Sequence, residues 1–550
     1  MKTLFTRFMA MTARTSAPSP RTLAAGLAAA VASSVLSIAA PAVAATVPTA
    51  PTSCKATWAP NGWVISWAAP SSDGGSAITE YRINEAGYGD PLVKVGATAR
   101  TTTWTTALKA PNQRQFFIRA KNAVGVSATC SASVPLSAVP FTVPAALQPT
   151  VSSQQIAESY GVAAHPNFQQ SVYQNVDAWM ARLASMGATY FRGNYYPGNK
   201  GTIAAVAAAR KYHLKWLMIV VEEAGTTPTT QTLAQTKARV EDIAAKAADV
   251  VYAIQGVNEP NHNRGGGVVP ANWAQIATDH QRVIWETAHR FPALAHVPII
   301  GPSVQETNAD ESYKSAAAPG GAKHYHQLVS AGIRNYQDYA GTHSYAGGGL
   351  PTNGLQHRLD LIRSAYGANY PVWIDESGYH NALATNSGHR PVSEEAAATY
   401  APRLLLEFAG QRGLHVGRFE TLDDVDLDIK DDKEANFGLW RVSSPDPATW
   451  SEKPEVGAMR STLAELKDPG TAYKPAPVFM GLTGPSDMKY LVTRKRDGSA
   501  TLWLWRDVKV WDPITRTPIT VPAVPVTVSD VAGKRTVQVA GKVVSLPLRS

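Results

Sequence analysis

Between residues 154 and 470, apolar runs of strand length alternate with segments of helical period. The runs fall at 159–165, 188–195, 214–222, 250–260, 297–304, 338–345, 370–379 and 414–424. After the fourth run, Trp273, Ile276, His280, Ile284 and Thr287 recur on one face of a helix. Near-continuous apolar strands imply burial on both sides of a parallel sheet, and eight strand-helix units predict a (β/α)8 TIM barrel. A doubly wound open sheet is the alternative, but no G-x-G-x-x-G run follows the first strand.

On either side of this stretch the period drops to two. From 52 to 140, short alternating runs such as Trp63 to Trp67, Ile78 to Ile83 and Phe116 to Ala120 are broken by turn signals like Ser72-Asp73-Gly74-Gly75, as in a β-sandwich. Residues 141–153 are rich in Pro and Ala and are expected to be a linker. From 477 to 550, strands flanking the turn Arg496-Asp497-Gly498 and the Val alternation after Val521 predict a small C-terminal β-sandwich. The tryptophans there, Trp503, Trp505 and Trp511, are expected in its packing rather than on a sugar.

Residues 1–44 differ in kind. Lys2, Arg7, Arg14 and Arg21 precede a small, apolar run from Leu23 to Ala40, and Ala42-Val43-Ala44 follows. That is the order of a secretory signal peptide, so the mature protein is expected to be secreted, extracellular or at the cell surface, with no transmembrane segment left once the leader is gone. Losing those four basic residues lowers the formal charge from +9 to +5. The remainder is too scattered to indicate nucleic acid. Cys54 and Cys130 are the only cysteines. In an oxidising compartment a single structural disulfide is the expected use, and no zinc site, other metal or cofactor is expected.

In a TIM barrel the C-terminal ends of the strands form the active face, so polar residues that close an apolar strand take priority. The second strand closes on Phe191-Arg192-Gly193, the fourth on Asn258-Glu259-Pro260, the sixth on Thr342-His343-Ser344-Tyr345, the seventh on Asp375-Glu376-Ser377 and the eighth on Arg418-Phe419-Glu420. Strands four and seven lie nearly opposite, so Glu259 and Glu376 are expected to face one another across the mouth. Glycoside cleavage needs such a pair of carboxyl groups.

These strand ends, N-E-P, W-I-D-E-S-G, Arg192 and H-S-Y, are similar to those of the retaining glycoside hydrolases of clan A. The resemblance implies that Glu259 is the acid/base and Glu376 the nucleophile. It also implies that Asn258 contacts the sugar 2-hydroxyl, that Arg192 and Tyr345 orient the nucleophile, and that His343 lines the pocket. The run F-E-T-L-D-D, then Glu434 to Leu439 and Lys453-Pro454, looks most like glycoside hydrolase family 39. In the first module Trp67, D-G-G-S-A-I-T-E-Y-R-I and A-K-N-A-V-G-V-S resemble a fibronectin type III domain. In that fold the starts of the first and last strands share an end, consistent with a Cys54–Cys130 bridge.

Alternation along strand seven turns Asp375 away from the pocket and makes it structural. Tyr195, Tyr196 and Tyr379 are the first-choice sugar-stacking platforms, ahead of Trp273, Trp373 and Trp440. Glu222 and Glu223 are read equally as substrate contacts or helix caps, and His262 and His380 as subsite or solvent-facing residues. The acidic run Asp423, Asp424, Asp426, Asp428, Asp431 and Asp432 misses EF-hand spacing and is expected to be a solvated loop. The expected partner is a polysaccharide or oligosaccharide, with cell-envelope contact through the flanking β-domains. The competing readings are a non-catalytic surface glycan-binding protein and a transglycosidase on the same scaffold.

Overall fold

A computed structural model describes residues 44–59, 62–85, 93–104, 115–133, 141–221, 229–262, 269–304, 322–385, 389–423 and 432–549. The leader through Val43, Glu222, Glu223 and Asp424, Asp426, Asp428 and Asp431 lie outside these residues. No described helix is long and apolar enough to cross a membrane.

All eight apolar runs contain a strand of one parallel sheet: β1 Tyr160–Ala163, β2 Tyr190–Asn194, β3 Lys215–Val221, β4 Val251–Val257, β5 Ile299–Ile300, β6 Ala340–Ser344, β7 Val372–Ser377 and β8 His415–Arg418. The order is β5-β4-β3-β2-β1-β8-β7-β6, and the single bridges Ile300–Tyr339 and Val304–Thr342 join its two ends into a barrel. A helix follows each strand: α1 Val176–Met186, α2 Lys200–Tyr212, α3 Leu233–Lys246, α4 Trp273–Ala288, α5 Ala322–Ser330, α6 Leu355–Tyr366, α7 Glu394–Leu405 and α8 Pro454–Leu466. Local chemistry sets their ends. Thr232 and Gln235 form a capping box at α3, and Gly187, at φ 91°, ends α1 in the left-handed region that glycine enters without penalty. The apolar face expected for α4 is the buried one, with Trp273, His280, Ile284 and Thr287 inside and Ile276 at its margin.

The strand starts carry an aromatic plug at the end of the barrel opposite the site. Trp373 stacks on His415 with centroids 3.6 Å apart, and Tyr190, Tyr252 and Tyr339 pack around the pair. Space for Tyr190 depends on Gly161, where an added Cβ would stand 2.1 Å from the tyrosine ring.

Residues 52–133 form a three-stranded and a four-stranded antiparallel sheet around Ile65, Trp67, Tyr81, Ile83, Phe116 and Ile118. Cys54 and Cys130 form a disulfide between the first strand of one sheet and the last of the other. At the C-terminus two four-stranded sheets enclose Met480, Leu482, Leu502, Leu504, Val526 and Val528. The expected linker is not one. Phe141–Gln148 pairs antiparallel with Val478–Gly484, and Val151–Ser152 pairs with Met488–Arg494, so the chain joins the C-terminal sheets before it enters the barrel. Proline count misled here because Pro144 sits in an edge strand, where a missing N–H costs little. Along Ala500–Arg506 alternate side chains divide: Leu502 and Leu504 face the β-domain core, while Trp503 and Trp505 join the barrel's core. These tryptophans and Trp511 are buried, as packing required.

Candidate active site

The strand ends named above converge. Arg192 stands at the centre, a buried guanidinium whose three nitrogens are all engaged. Nε donates to Gln255 Oε1 at 2.8 Å, Nη1 to Glu376 Oε1 at 2.9 Å, and Nη2 to Asn258 Oδ1 at 2.8 Å. Nη2 also lies 2.8 Å from Asp375 Oδ2. Tyr345 donates its hydroxyl to Glu376 Oε2 at 2.9 Å, so each oxygen of Glu376 meets a donor. Burial pushes the Glu376 carboxyl above the ordinary glutamate range, while the charges of His343 and Arg192 oppose that rise.

Glu259 follows β4 in the left-handed region, at φ 43°, where a non-glycine residue is strained. Its N–H donates to the Ser303 carbonyl at 2.9 Å, fixing the turn. One carboxylate oxygen lies 3.1 Å from His343 Nδ1 and the other 3.1 Å from His262 Nδ1. On its far side His343 places Nε2 3.4 Å from Glu376 Oε1 and 3.6 Å from Asp375 Oδ2. One imidazole therefore bridges the two glutamates. Burial alone would lower its pKa, but Glu376 and Asp375 raise it well above the usual value and favour the imidazolium.

Asp375 corrects the expectation from alternation. It points inward and accepts from Gln255 Nε2 at 2.6 Å and Ser303 Oγ at 2.5 Å besides pairing with Arg192. The register of β7 slips against β6 between Thr342 and His343 and against β8 after Ile374, so a strict period of two does not survive at the barrel mouth. Burial would raise the Asp375 carboxyl, yet Arg192 and His343 bring it down to about 2. It is a fixed charge under the site, structural as expected, but on the other side of the sheet.

Two of the first-choice stacking platforms are core residues. Tyr195 is buried against Trp216 and donates to Asp242 Oδ2 at 2.8 Å, because it points outward to α3. Tyr379 is buried on Tyr400 and donates to the Gly349 carbonyl at 3.0 Å. Tyr196 is half-buried beneath the Arg239 guanidinium, 4.5 Å from its ring centre. Trp273, Trp373 and Trp440 are also buried. His380 is inside the fold with Nε2 on the His389 carbonyl, and burial lowers its pKa to about 4. Asp423 pairs with the buried Lys453 at 2.8 Å, and no cluster suited to a metal occurs among the described residues.

Four further residues belong to this face. Gln255 and Ser303 complete the Arg192 network; Gln255 was visible as the one polar side chain inside an apolar strand. Past β8, Glu420 is buried and engaged by His165 and by the Tyr173 hydroxyl. His165 stacks on Phe168, centroids 4.5 Å apart, and Phe168 is 47% exposed at the rim. Burial would lower the His165 pKa, but the Glu420 carboxylate raises it.

The site is thus two carboxyl groups from opposite strands, joined through one imidazole, with a guanidinium and a phenol on one of them. The sequence matches no protein-family profile and no curated protein. Among solved structures the chain is similar to a monomeric β-xylosidase from Caulobacter crescentus CB15, with TM-score 0.43 and 12% identity over 74% of this chain and 96% of that one. It is also similar to a β-glucosidase from Exiguobacterium marinum, with TM-score 0.41 and 11% identity over 57% and 99%. A third is the family 17 β-1,3-glucanosyltransferase from Rhizomucor miehei, with TM-score 0.38 and 16% identity over 52% and 94%. These neighbours are glycoside hydrolases and a transglycosylase.

Proposed function

We propose that this protein is a secreted retaining glycoside hydrolase that cleaves O-glycosidic bonds in an extracellular or cell-envelope polysaccharide or oligosaccharide. The observation that carries the reading is the His343 bridge between Glu259 and Glu376, with Arg192 and Tyr345 both donating to Glu376. The asymmetry assigns the roles. Glu376, fixed by two donors, suits the nucleophile, while Glu259, whose two oxygens each lie 3.1 Å from an imidazole nitrogen, suits the acid/base.

In the first step Glu376 attacks the anomeric carbon and the bond to the leaving oxygen breaks as that oxygen takes the Glu259 proton. In the second, Glu259 removes a proton from water, whose oxygen displaces Glu376 and restores both carboxyl groups. Asn258, oriented by Arg192, faces the sugar beside the nucleophile. A sugar acceptor in place of water gives transglycosylation on the same residues. The resemblance to clan A, and to family 39 within it, supports this assignment. The module at 52–140 is read as a fibronectin type III-like spacer, the barrel as 154–470 and the C-terminal β-domain as 477–550.

The test is a panel of aryl glycosides and cell-envelope polysaccharides, with the anomer of the first product followed by NMR. Retained configuration, together with loss of turnover in Glu376→Gln and Glu259→Gln, is expected. An inverted first product removes Glu376 as nucleophile. Binding without cleavage across the panel, unchanged by either substitution, replaces the enzyme with a glycan-binding protein.

A further inference from the structure

Residues 508–517 carry the C-terminal β-domain to the loops of the active face. Trp511 is buried and its Nε1 donates to the Pro391 carbonyl at 3.1 Å. Arg516, at φ 57°, donates Nη1 to the Leu383 carbonyl and Nη2 to the Thr385 carbonyl. Pro513 abuts Gly348, where an added Cβ would lie 2.7 Å from the proline. The segment is tied at its base as well: Val510 N–H donates to the Tyr400 hydroxyl at 3.0 Å, and Arg403 of α7 donates to the Val508 carbonyl at 2.8 Å.

What it grips are the loops that follow β6 and β7, the two strands that deliver Tyr345 and Glu376. His389, two residues before the Pro391 carbonyl, packs its ring on Tyr345 with centroids 5.2 Å apart. Its own carbonyl lies 2.8 Å from His380 Nε2. Tyr379 ties the loop after β7 to the loop after β6 through the Gly349 carbonyl at 3.0 Å. Short stretches of backbone, hydrogen bonds and ring contacts thus connect Trp511 and Arg516 to the residue whose hydroxyl donates to Glu376.

We infer that residues 508–517 are a positioning element of the active site, and that Trp511 and Arg516 hold Tyr345 in register with Glu376 from a different domain. The inference rests on the glycosidase reading. Its logic is that a fixed scaffold converts binding into a reactive geometry, so a small misplacement of a remote support costs rate. Loss of the support lowers the chemical step rather than substrate capture, since neither residue is placed in contact with sugar.

The experiment uses the full chain. Trp511→Phe removes the indole donor and keeps most of the ring; Arg516→Ala removes the fork, and Arg516→Lys restores one cation. Trp503→Phe is the control, because Trp503 is equally buried on the barrel and also loses an indole donor, to Thr493 Oγ1 at 2.9 Å, but lies on the strand Ala500–Arg506 away from the loops. On the best substrate of the panel, kcat of Trp511→Phe and of Arg516→Ala is expected to fall about tenfold with KM within twofold, partly recovered in Arg516→Lys. Trp503→Phe is expected to keep wild-type kcat. Wild-type kcat in both segment variants, or an equal loss in Trp503→Phe, overturns the inference while Glu376→Gln still reports on the glycosidase reading. An inert wild-type chain refutes both.

Discussion

Replacing Asp375 by Asn tests the charge network at its base. The amide can keep the carboxylate's place, with its oxygen toward Arg192 and Gln255 and its nitrogen toward Ser303 Oγ, which rotates to accept. Only the charge is then lost. Hydrogen bonds to charged groups are worth about 1.5–3 kcal/mol, and stripping a buried pair of its partner costs about 3–5. Arg192 retains Glu376, so the lower part of that span applies, about 2–3 kcal/mol. Linkage gives the same order: a carboxyl brought from 3.8 to about 2 contributes about 2 kcal/mol at neutral pH. Because the folded value is the depressed one, this stability is present above 3.8 and lost as pH falls through about 2, with about half remaining at pH 3. Native-state hydrogen exchange read by mass spectrometry on peptides covering β2 and β7 measures it locally. Exchange in Asp375→Asn at pH 7 is expected to be roughly 30- to 150-fold faster than in wild type, and the gap to narrow at pH 3. Less than fivefold at pH 7, or a gap that widens on acidification, refutes the claim that Asp375 is the charged support of Arg192.

Tyr345→Phe removes one donor to Glu376 and is expected to lower kcat about 10- to 100-fold with little change in KM, measured by steady-state kinetics on the best substrate. If Glu376 is the proposed nucleophile it must be ionised, and because burial raises its carboxyl, kcat/KM is expected to fall on acidification through an inflection above 4.5, seen in a pH-rate profile. Tyr195→Phe removes a hydroxyl that faces Asp242 rather than the mouth, so affinity for oligosaccharide by calorimetry is expected to stay within twofold. A double Cys54→Ser, Cys130→Ser variant releases a crosslink spanning 76 residues, which destabilises the N-terminal module by roughly 4 kcal/mol in denaturant unfolding while turnover by the barrel persists.

The barrel was legible because both of its periods are long and uninterrupted. Eight apolar runs, each with a helical segment behind it, admit few other packings, and the polar residue that ends each run had to lie at the mouth. Glu259, Glu376, Arg192, Asn258, Tyr345 and His343 follow from that one rule, which is why they meet in space. Residues inside a strand were harder. Gln255 breaks an apolar run, yet nothing in its neighbours announces that its partner lies 120 positions away at Asp375.

The misreadings share a cause: each assumed that a local pattern continues unaltered to the end of its element. Taking Glu376 as the inward residue put Asp375 outside, but Asp375 shares the inner face with Trp373, and the slips in register beside His343 and beyond Ile374 bring Glu376 to the mouth beside it. Proximity to a strand end made Tyr195 and Tyr379 look like platforms, although an aromatic one or two residues beyond a strand faces the helix layer as readily as the mouth, and their hydroxyls went to Asp242 and the Gly349 carbonyl. The linker was read from composition, while its strand pairing is set by Val478–Gly484, more than 300 residues later, which no window around Phe141 contains. The same long-range dependence brings Trp511 and Arg516 to the loops beside Tyr345. The pair of carboxyl groups is a property of strand ends and can be read locally; the contacts that hold it are a property of tertiary structure and cannot.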